Sequence, residues 1–382
     1  MKTKKLWIGI LLFVALVGLG VLASGPLQNN MRQNRLEADA TRVYGAVGGG
    51  KENFLADPEV NRILLEDYQL IVTNDAWSNG KLIKDPLEYT DKRGQKQPYD
   101  FVFFSDQRYY EYYQLPAAAG EAARLPKKKA EIALNTPIVL YSWDQVVDAL
   151  QKDGVVNERG GVYSVTDMPK LLSYISEGKK WSDLGLPMIY GGVNIASTDP
   201  VTSSPGATYY GLLAAIMNEG DVTLANLGNV LPRLQTFYLK SGFMNNTPAD
   251  LFDLYLRTGM GAKPVIVDYE KSVIDFANQN PDGYAQVKDR LRILYPAPTI
   301  WNSHCIIAFN DAGARFVDAL NDKRIQDIAF ARYGFRTGVA GGQYDVSAVG
   351  VTGVPQDILS VVSGLKMDTY NEIIEGLKQA QE

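Results

Sequence analysis

Residues 197–208 have the sequence Ser-Thr-Asp-Pro-Val-Thr-Ser-Ser-Pro-Gly-Ala-Thr and carry the strongest chemical signal in the chain. They lie between an apolar stretch that predicts a strand, residues 189–196, and one that predicts a helix, residues 209–217. Ser, Thr and Asp cap helix starts, and Pro205 fits the first helical turn, where its missing N–H costs nothing. Such a helix start presents free backbone N–H groups beside several hydroxyls, which favours an anion held by neutral donors. An ordinary capped helix is the alternative interpretation.

Three further turns between predicted elements have a similar character. The glycine triplet 48–50 follows a predicted strand, a polar turn containing Ser78 ends the next strand, and Asp268, Tyr269 and Glu270 follow a later one. In open α/β sheets, ligands bind at the carboxyl ends of the strands. These turns therefore predict a cleft between two lobes. The glycine triplet has neither the dinucleotide-binding nor the phosphate-loop spacing.

Around these turns, predicted strands alternate with predicted helices. This rhythm indicates an α/β fold with a mostly parallel sheet and helices on its faces. The predicted strands are residues 42–47, 68–73, 99–104, 137–141, 189–196, 263–267 and 291–295. The predicted helices are residues 51–67, 143–152, 208–218, 248–258, 311–333 and 359–381.

The composition excludes several classes of function. The chain has 382 residues, with 38 Lys and Arg against 43 Asp and Glu, and its net charge of -5 provides no basic field for nucleic acid. With one His and one Cys, it can form neither a Cys/His zinc site nor an internal disulfide. We therefore expect no metal, no cofactor and no catalytic role. The length exceeds what one core usually holds, which predicts two lobes.

The N-terminus predicts an extracytoplasmic location. Met1–Lys5 is basic, and residues 6–23 form an apolar run without a charge. This pattern is typical of a secretory signal, cleaved near Ala23, or of an uncleaved membrane anchor. Residues 1–24 would form this segment and residues 25–41 a polar tether. No Cys follows the apolar run, so lipid modification there is excluded.

At this point the residues resemble a known family. The chain resembles the type II extracellular solute-binding proteins of ABC importers in three places. These are the strand, hydroxyl-rich turn and helix over residues 189–217, residues 263–270, and residues 293–296. The branch that includes molybdate, sulfate and phosphate receptors is the most similar. The resemblance implies a two-lobe type II periplasmic-binding-protein fold with the ligand cleft between the lobes. Residues 42–136 and 297–382 would form the first lobe, and residues 137–296 the second.

The resemblance also implies a function and a site. A small oxyanion would be captured by hinge closure and delivered to an ABC permease, with the membrane reached through the N-terminal segment. The chain would cross between the lobes near residues 135–137 and 296–299. A protonated phosphate would also need an acceptor, and Asp199, Asp268 or Glu270 could provide it. The predicted ligand-binding residues are Gly49, Gly50 and Ser78 on one side and Thr198, Thr202, Ser203, Ser204, Tyr269 and Glu270 on the other.

Two alternatives remain at this stage. The first is a membrane-tethered receptor-fold protein that binds a different small organic solute, favoured by the aromatic tract Tyr109–Tyr113, or that acts as a sensor. The second is an extracytoplasmic enzyme that uses Asp268 and Glu270 as paired carboxylates, or Ser303 and His304 for acyl transfer. Residues two apart on a strand point to opposite faces, which argues against the paired carboxylates.

Overall fold

The computed structural model of the chain describes residues 31–242, 244–339 and 343–381. The apolar residues 6–23, predicted as a signal or an anchor, lie outside these ranges. Inside them, no helix combines the length and the apolar character needed to cross a bilayer. The segment predicted as a polar tether is helical over residues 31–39, which we call α1.

Strands and helices alternate along much of the chain, as predicted for an α/β fold. The large sheet is mixed, however, with more antiparallel than parallel pairings, so the prediction of a mostly parallel sheet was wrong. The strands are β1 (Thr41–Gly48), β2 (Leu70–Trp77), β3 (Glu88–Thr90), β4 (Lys96–Pro98), β5 (Phe101–Phe103), β6 (Lys129–Trp143), β7 (Val156–Arg159), β8 (Val162–Val165), β9 (Val265–Tyr269), β10 (Leu291–Pro296), β11 (Thr299–Ala308), β12 (Arg336–Thr337) and β13 (Val361–Val362). The helices after α1 are α2 (Glu52–Leu55), α3 (Pro58–Tyr68), α4 (Asn79–Lys84), α5 (Gln107–Tyr113), α6 (Asp144–Lys152), α7 (Met168–Glu177), α8 (Ser204–Asn218), α9 (Leu231–Ser241), α10 (Pro248–Thr258), α11 (Lys271–Gln279), α12 (Pro281–Val287), α13 (Asp311–Leu320), α14 (Lys323–Tyr333) and α15 (Met367–Gln379). Short 3-10 turns occur at Trp181–Leu184, Leu227–Asn229 and Val346–Val349.

The first lobe is built on a sheet with the strand order β2-β1-β5-β11-β6. β1 is parallel to β2 and β5, whereas β11 is antiparallel to β5 and β6. One face of the sheet packs against α3, α13 and α14, and the other against α4 and α5. Because β1, β2 and β5 run in one direction, the turns after all three lie at the same edge of the sheet.

The second lobe surrounds a smaller sheet and a central helix. In this sheet β6 lies between β9 and β10, and β8 and β7 follow beyond β10. Helix α8 is buried continuously from Pro205 to Ala215, so it has no solvent face along most of its length. A helix that is apolar on all sides belongs inside a core. The first turn of α8 lies at the end of the second lobe that faces the first lobe.

Strand β6 belongs to both lobes. Its residues 129–137 pair with β11 of the first lobe, and its residues 138–142 pair with β9 of the second. The hydroxyl of Thr299, at the start of β11, donates to the Ile138 carbonyl at 2.6 Å. The chain therefore passes between the lobes inside β6 and again between β10 and β11. The lobe boundaries at 137 and 297 stay predictions, and the structure adds that α15 packs against α9 of the second lobe.

Several element predictions were wrong in detail. Residues 189–196 make only isolated bridges at Gly192 and Ala196, because the Gly191–Gly192 pair interrupts extended pairing. The helix predicted over residues 51–67 is divided at Asp57, which caps α3 by accepting from the amides of Glu59 and Val60. The helix predicted over residues 311–333 is likewise divided where Asp322 caps α14. The C-terminal helix begins at Met367, not at residue 359.

Candidate ligand-binding cleft

A cavity of about 460 Å³ lies between the two lobes. The turns after β1, β2 and β5 provide one wall, and the starts of α8, α10 and α11 provide the other. The lining residues of the first lobe are Gly49, Gly50, Ser78, Asn79, Gly80, Ser105, Tyr109, Asn302 and His304. Those of the second lobe are Thr202, Ser203, Ser204, Pro205, Asn246, Thr247, Pro248, Asp268, Tyr269, Lys271 and Ser272.

The structure brings most of the predicted ligand-binding residues to this cavity. Gly49, Gly50 and Ser78 line the first-lobe wall, and Thr202, Ser203, Ser204 and Tyr269 line the opposite one. Thr198 and Glu270 do not line it. Whether the seven lining residues contact a ligand stays a prediction at this point.

Ser203 is the residue that caps the start of α8. Its backbone is extended, and its side chain makes no capping hydrogen bond to the helix. The hydroxyl is buried and has no hydrogen-bond partner among the described residues, although the side chain lines the cavity. A buried hydroxyl without a partner is costly unless a ligand or water satisfies it. Ser203 therefore combines a partnerless hydroxyl with a position at the positive end of a 15-residue helix beside the cavity.

Two further helices of the second lobe begin at the cleft. Thr247 caps α10 by accepting from the Asp250 amide at 3.1 Å. Helix α11 begins at Lys271, which lines the cavity. Its Nζ atom lies 3.8 Å from Oδ2 of Asp275 in the same helix. The positive ends of α8, α10 and α11 thus lie at one wall, where they favour an anion. In α10 and α11, the amides of Asp250, Lys271 and Val273 already donate to Thr247, Thr136 and Tyr141, so these two helices act mainly through their dipoles.

A buried lysine lies under the first-lobe wall. Lys51 has no solvent exposure, and its Nζ atom is 2.8 Å from Ser105 Oγ and 3.2 Å from His304 Nδ1. Across the described ranges, no carboxylate comes within ion-pair distance of this Nζ. Burial lowers the pKa of Lys51 to about 7, and burial together with Lys51 holds the pKa of His304 well below its usual value.

Asp268 gives the cleft a buried carboxyl group. Its Oδ1 atom accepts from the Tyr269 amide at 2.8 Å, whereas its Oδ2 atom has no hydrogen-bond partner in the part of the chain described. Burial raises the pKa of Asp268 to about 6. This carboxyl can therefore accept a hydrogen bond when ionised and donate one when protonated.

Glu270 and Thr198 have structural contacts instead. Glu270 is fully buried and forms a two-pronged ion pair with Arg336, with distances of 2.6 Å to Nε and 2.7 Å to Nη2. The Tyr295 hydroxyl donates to the same carboxylate at 2.6 Å. Thr198 is buried, and its Oγ1 atom, like the Ser203 hydroxyl, has no hydrogen-bond partner among the described residues. Its carbonyl approaches α8, so that a Cβ on Gly206 would lie 2.2 Å from it. Only glycine fits this close approach.

Several lining residues were not among the predicted ligand-binding residues. Ser105 follows β5, and the rule that ligands meet the carboxyl ends of parallel strands would have found it. Asn302 and His304 lie inside β11, a strand that the sequence pattern did not indicate. Lys271 carries no special local signal, since a lysine in a first helical turn is ordinary.

Comparisons with known proteins identify the fold. No family model matches the chain, and no curated protein matches it in sequence. Ferric ion-binding protein A from Pasteurella haemolytica, in its apo form, is similar with a TM-score of 0.54 at 10% identity, covering 90% of this chain and 98% of that one. The chain has the type II periplasmic-binding-protein fold.

Other solved structures with this fold give the same picture. The substrate-binding protein of an ABC transporter from Agrobacterium tumefaciens has a TM-score of 0.51 at 15% identity, covering 90% of this chain and 95% of that one. An ABC substrate-binding protein from Listeria monocytogenes, in complex with cycloalternan, has a TM-score of 0.51 at 12% identity, with the same coverage. The two-lobe fold predicted from the sequence is therefore confirmed. Where the chain is described, no cluster of His, Cys, Asp and Glu could hold a metal ion.

Lys51 should destabilise the folded protein in a pH-dependent way. Its pKa is about 7 in the folded state but about 10.4 in an unfolded chain, so between these values the unfolded state binds more protons. The cost of Lys51 is therefore largest below about pH 7 and disappears towards about pH 10. We predict that Lys51→Met raises the free energy of unfolding at about pH 6.5, and that the gain shrinks as the pH rises. Urea denaturation at several pH values measures this.

The exposed Lys152 in α6 is the matched control, and Lys152→Met should change stability by less than about 0.5 kcal/mol at every pH. A Lys51→Met variant with no gain near pH 6.5, or with a gain independent of pH, would contradict the account of a buried, strained ammonium.

Glu270 should be a stability residue and not a ligand contact. Glu270→Gln leaves Arg336 buried without its counter-charge, and we predict a loss of about 3–5 kcal/mol in the free energy of unfolding. Glu59→Gln, which breaks an exposed pair with Arg62, should cost at most about 1 kcal/mol. A stable Glu270→Gln protein with weakened ligand binding would restore the role predicted from the sequence.

Proposed function

We propose that the chain is an extracytoplasmic solute-binding protein that captures a small oxyanion, similar to molybdate, sulfate or phosphate, in its inter-lobe cleft. The observation that carries the proposal is the cleft itself. Three helix starts, the unpartnered Ser203 hydroxyl and Lys271 face one space, with Lys51 beneath the opposite wall. Cationic groups and free donors around a cavity are what a small anion requires.

Binding would close the two lobes around the solute. Donors from both lobes line the cavity, so a solute that contacts both walls is held best when the walls are close. The backbone passes between the lobes inside β6 and between β10 and β11, and few residues at such positions need to rotate. Closure would also remove water, which strengthens each hydrogen bond to the charged solute.

Delivery to an ABC permease completes the proposal. Its support is the fold, which the chain shares with substrate-binding proteins of ABC transporters, and the N-terminal sequence. The basic Met1–Lys5 followed by the apolar residues 6–23 favours export, either with cleavage near Ala23 or as a membrane anchor.

A small organic anion is the second candidate ligand. Tyr109 and Tyr269 line the cleft, and aromatic faces bind rings or apolar portions of a solute. The carboxylate of such a solute would use the same donors as an oxyanion. Asp268 is relevant to both candidates, because its unpartnered Oδ2 atom can accept from a solute hydroxyl.

A thermal-shift screen of the full chain in mild detergent tests the function. The ligands are molybdate, tungstate, sulfate, phosphate, organic acids, amino acids and sugars. A ligand at 100 times its dissociation constant should add about 2.7 kcal/mol to the free energy of unfolding. Selective stabilisation by a tetrahedral oxyanion supports the proposal, stabilisation by an organic acid supports the second candidate, and the absence of any shift with anions contradicts both.

The start of α8 should account for much of the affinity. Hydrogen bonds to a charged group contribute about 1.5–3 kcal/mol each, so the double substitution Ser203→Ala and Ser204→Ala should weaken anion binding at least about tenfold. Ser182→Ala, at an exposed serine outside the cleft, is the control and should leave the affinity unchanged. Isothermal titration of each protein with the anion found in the screen measures this, and equal affinities would contradict the role of the helix start.

A further inference from the structure

Lys51 stands apart from the other charged residues near the cleft, because nothing in its surroundings balances its charge. Its carbon chain is buried, and Nζ lies 4.9 Å from the centre of the Phe103 ring. The polar atoms it meets are Ser105 Oγ and His304 Nδ1, both from neutral side chains. A buried ammonium is normally retained only when it is paired.

Charged groups from every neighbouring element leave this imbalance in place. Glu52, in α2, is the carboxylate that most raises the pKa of Lys51. Its Oε2 atom, however, already accepts a hydrogen bond from the Gly50 amide at 2.7 Å. Lys271, from α11 across the cleft, adds a second cation, whose Nζ atom lies 3.8 Å from Asp275 Oδ2. Asp268, from β9, adds a cavity-lining carboxyl group whose pKa burial raises to about 6. Cys305, from β11, is a buried thiol whose pKa burial raises far above neutrality, so it carries no charge. Lys51 is thus a cation beside the cleft that none of these groups pairs with.

The hydrogen bonds around His304 fit the neutral amine that Lys51 carries above about pH 7 when the cleft holds no anion. Asn302 Nδ2 donates to the Ser105 carbonyl at 2.8 Å, which fixes the orientation of the amide. The same Nδ2 atom lies 3.3 Å from His304 Nε2, so Nε2 is an acceptor and the ring proton is on Nδ1. That Nδ1–H group faces Lys51 Nζ, and a neutral amine accepts from it whereas an ammonium cannot.

Two of the groups that touch Lys51 also reach the cavity. Ser105 and His304 both line it, so one layer of side chains separates Nζ from a bound solute. The Ser105 hydroxyl donates at present to the Gly49 carbonyl at 2.8 Å. When Nζ is an ammonium and donates to Ser105 Oγ, this hydroxyl can turn and donate to an anion instead.

We propose that Lys51 is the charge-determining residue of the cleft, with the bound anion as the counter-ion of its ammonium, so that anion binding is coupled to the uptake of one proton by Lys51. The inference rests on the proposed function of the cleft. The proton moves from bulk water to Nζ, and His304 stays neutral while its one ring proton shifts from Nδ1 to Nε2. Nδ1 then accepts from the ammonium, and the 3.3 Å contact of Nε2 with Asn302 Nδ2 is given up. Binding should consequently weaken as the pH rises, and the site should prefer charged solutes over neutral ones of the same shape.

Proton uptake can be counted by isothermal titration of the full chain with sulfate and with molybdate. Neither anion titrates near neutral pH, so any proton taken up belongs to the protein. The observed heat is compared in PIPES, HEPES and Tris, which differ in ionisation enthalpy. Since burial lowers the pKa of Lys51 to about 7, we expect close to one proton per anion at about pH 8. We expect a smaller number at about pH 5.5, where Lys51 is already protonated and the partly ionised Asp268 is the group that can still take up a proton.

Lys51→Met tests whether this residue is the acceptor. The variant keeps the length of the side chain without the charge, so it should bind sulfate and molybdate at least about tenfold more weakly at about pH 6 and take up no proton at about pH 8. Lys152→Met is the control, and its affinity and proton count should equal those of the wild type.

The outcomes distinguish proton uptake by Lys51 from the oxyanion-binding function of the cleft. Anion binding without proton uptake at about pH 8 in the wild type overturns the role of Lys51 and leaves the function intact, as does a Lys51→Met variant with an unchanged proton count. If neither anion binds to the wild type at any pH, the oxyanion function itself fails. The wild-type proton count decides the matter even if Lys51→Met does not fold.

Discussion

The buried ion pair between Glu270 and Arg336 is the interaction on which the arrangement of the two lobes depends. Arg336 lies in β12, which pairs with β6 inside the first lobe, whereas Glu270 directly follows β9 of the second. The pair therefore joins the lobes at the place where β6 passes between them. Asp268, Tyr269 and Lys271, the neighbours of Glu270, all line the cleft, so the pair also fixes the position of that wall.

The chemistry of the cleft follows from what this junction brings together. Lys271 and the starts of three helices form one wall, and Lys51 lies under the other without a counter-charge. Charges buried in a low dielectric interact strongly, so below about pH 7 the unbalanced Lys51 ammonium costs free energy of folding, and at higher pH Lys51 must lose its proton to fold. An anion in the cavity removes part of this cost, so ligand affinity and the instability of the empty cleft have one physical origin.

The sequence predicted the fold and the turns that line the cleft better than it predicted the residues under the first-lobe wall. The hydroxyl-rich start of α8 was found because capping residues such as Ser203 are local signals, and the same holds for Gly49 and Gly50. The contact between Lys51 and His304 was not found from the sequence. These two residues meet only when β11 pairs with its neighbours, and such long-range pairing leaves no local pattern. Glu270 was predicted as a ligand contact because it stands next to residues that line the cleft, but its own side chain turns towards Arg336.

Anomalous scattering would show whether the inter-lobe cleft binds an anion. Crystals of the protein grown with saturating tungstate or molybdate, measured near the absorption edge of the metal, show each bound oxyanion as a peak in the anomalous difference map. If the cleft is the anion site, we expect one strong peak there, between Ser203 and Ser204 on one side and Gly49 and Ser105 on the other. Peaks confined to the outer surface, with the cleft empty, would contradict it.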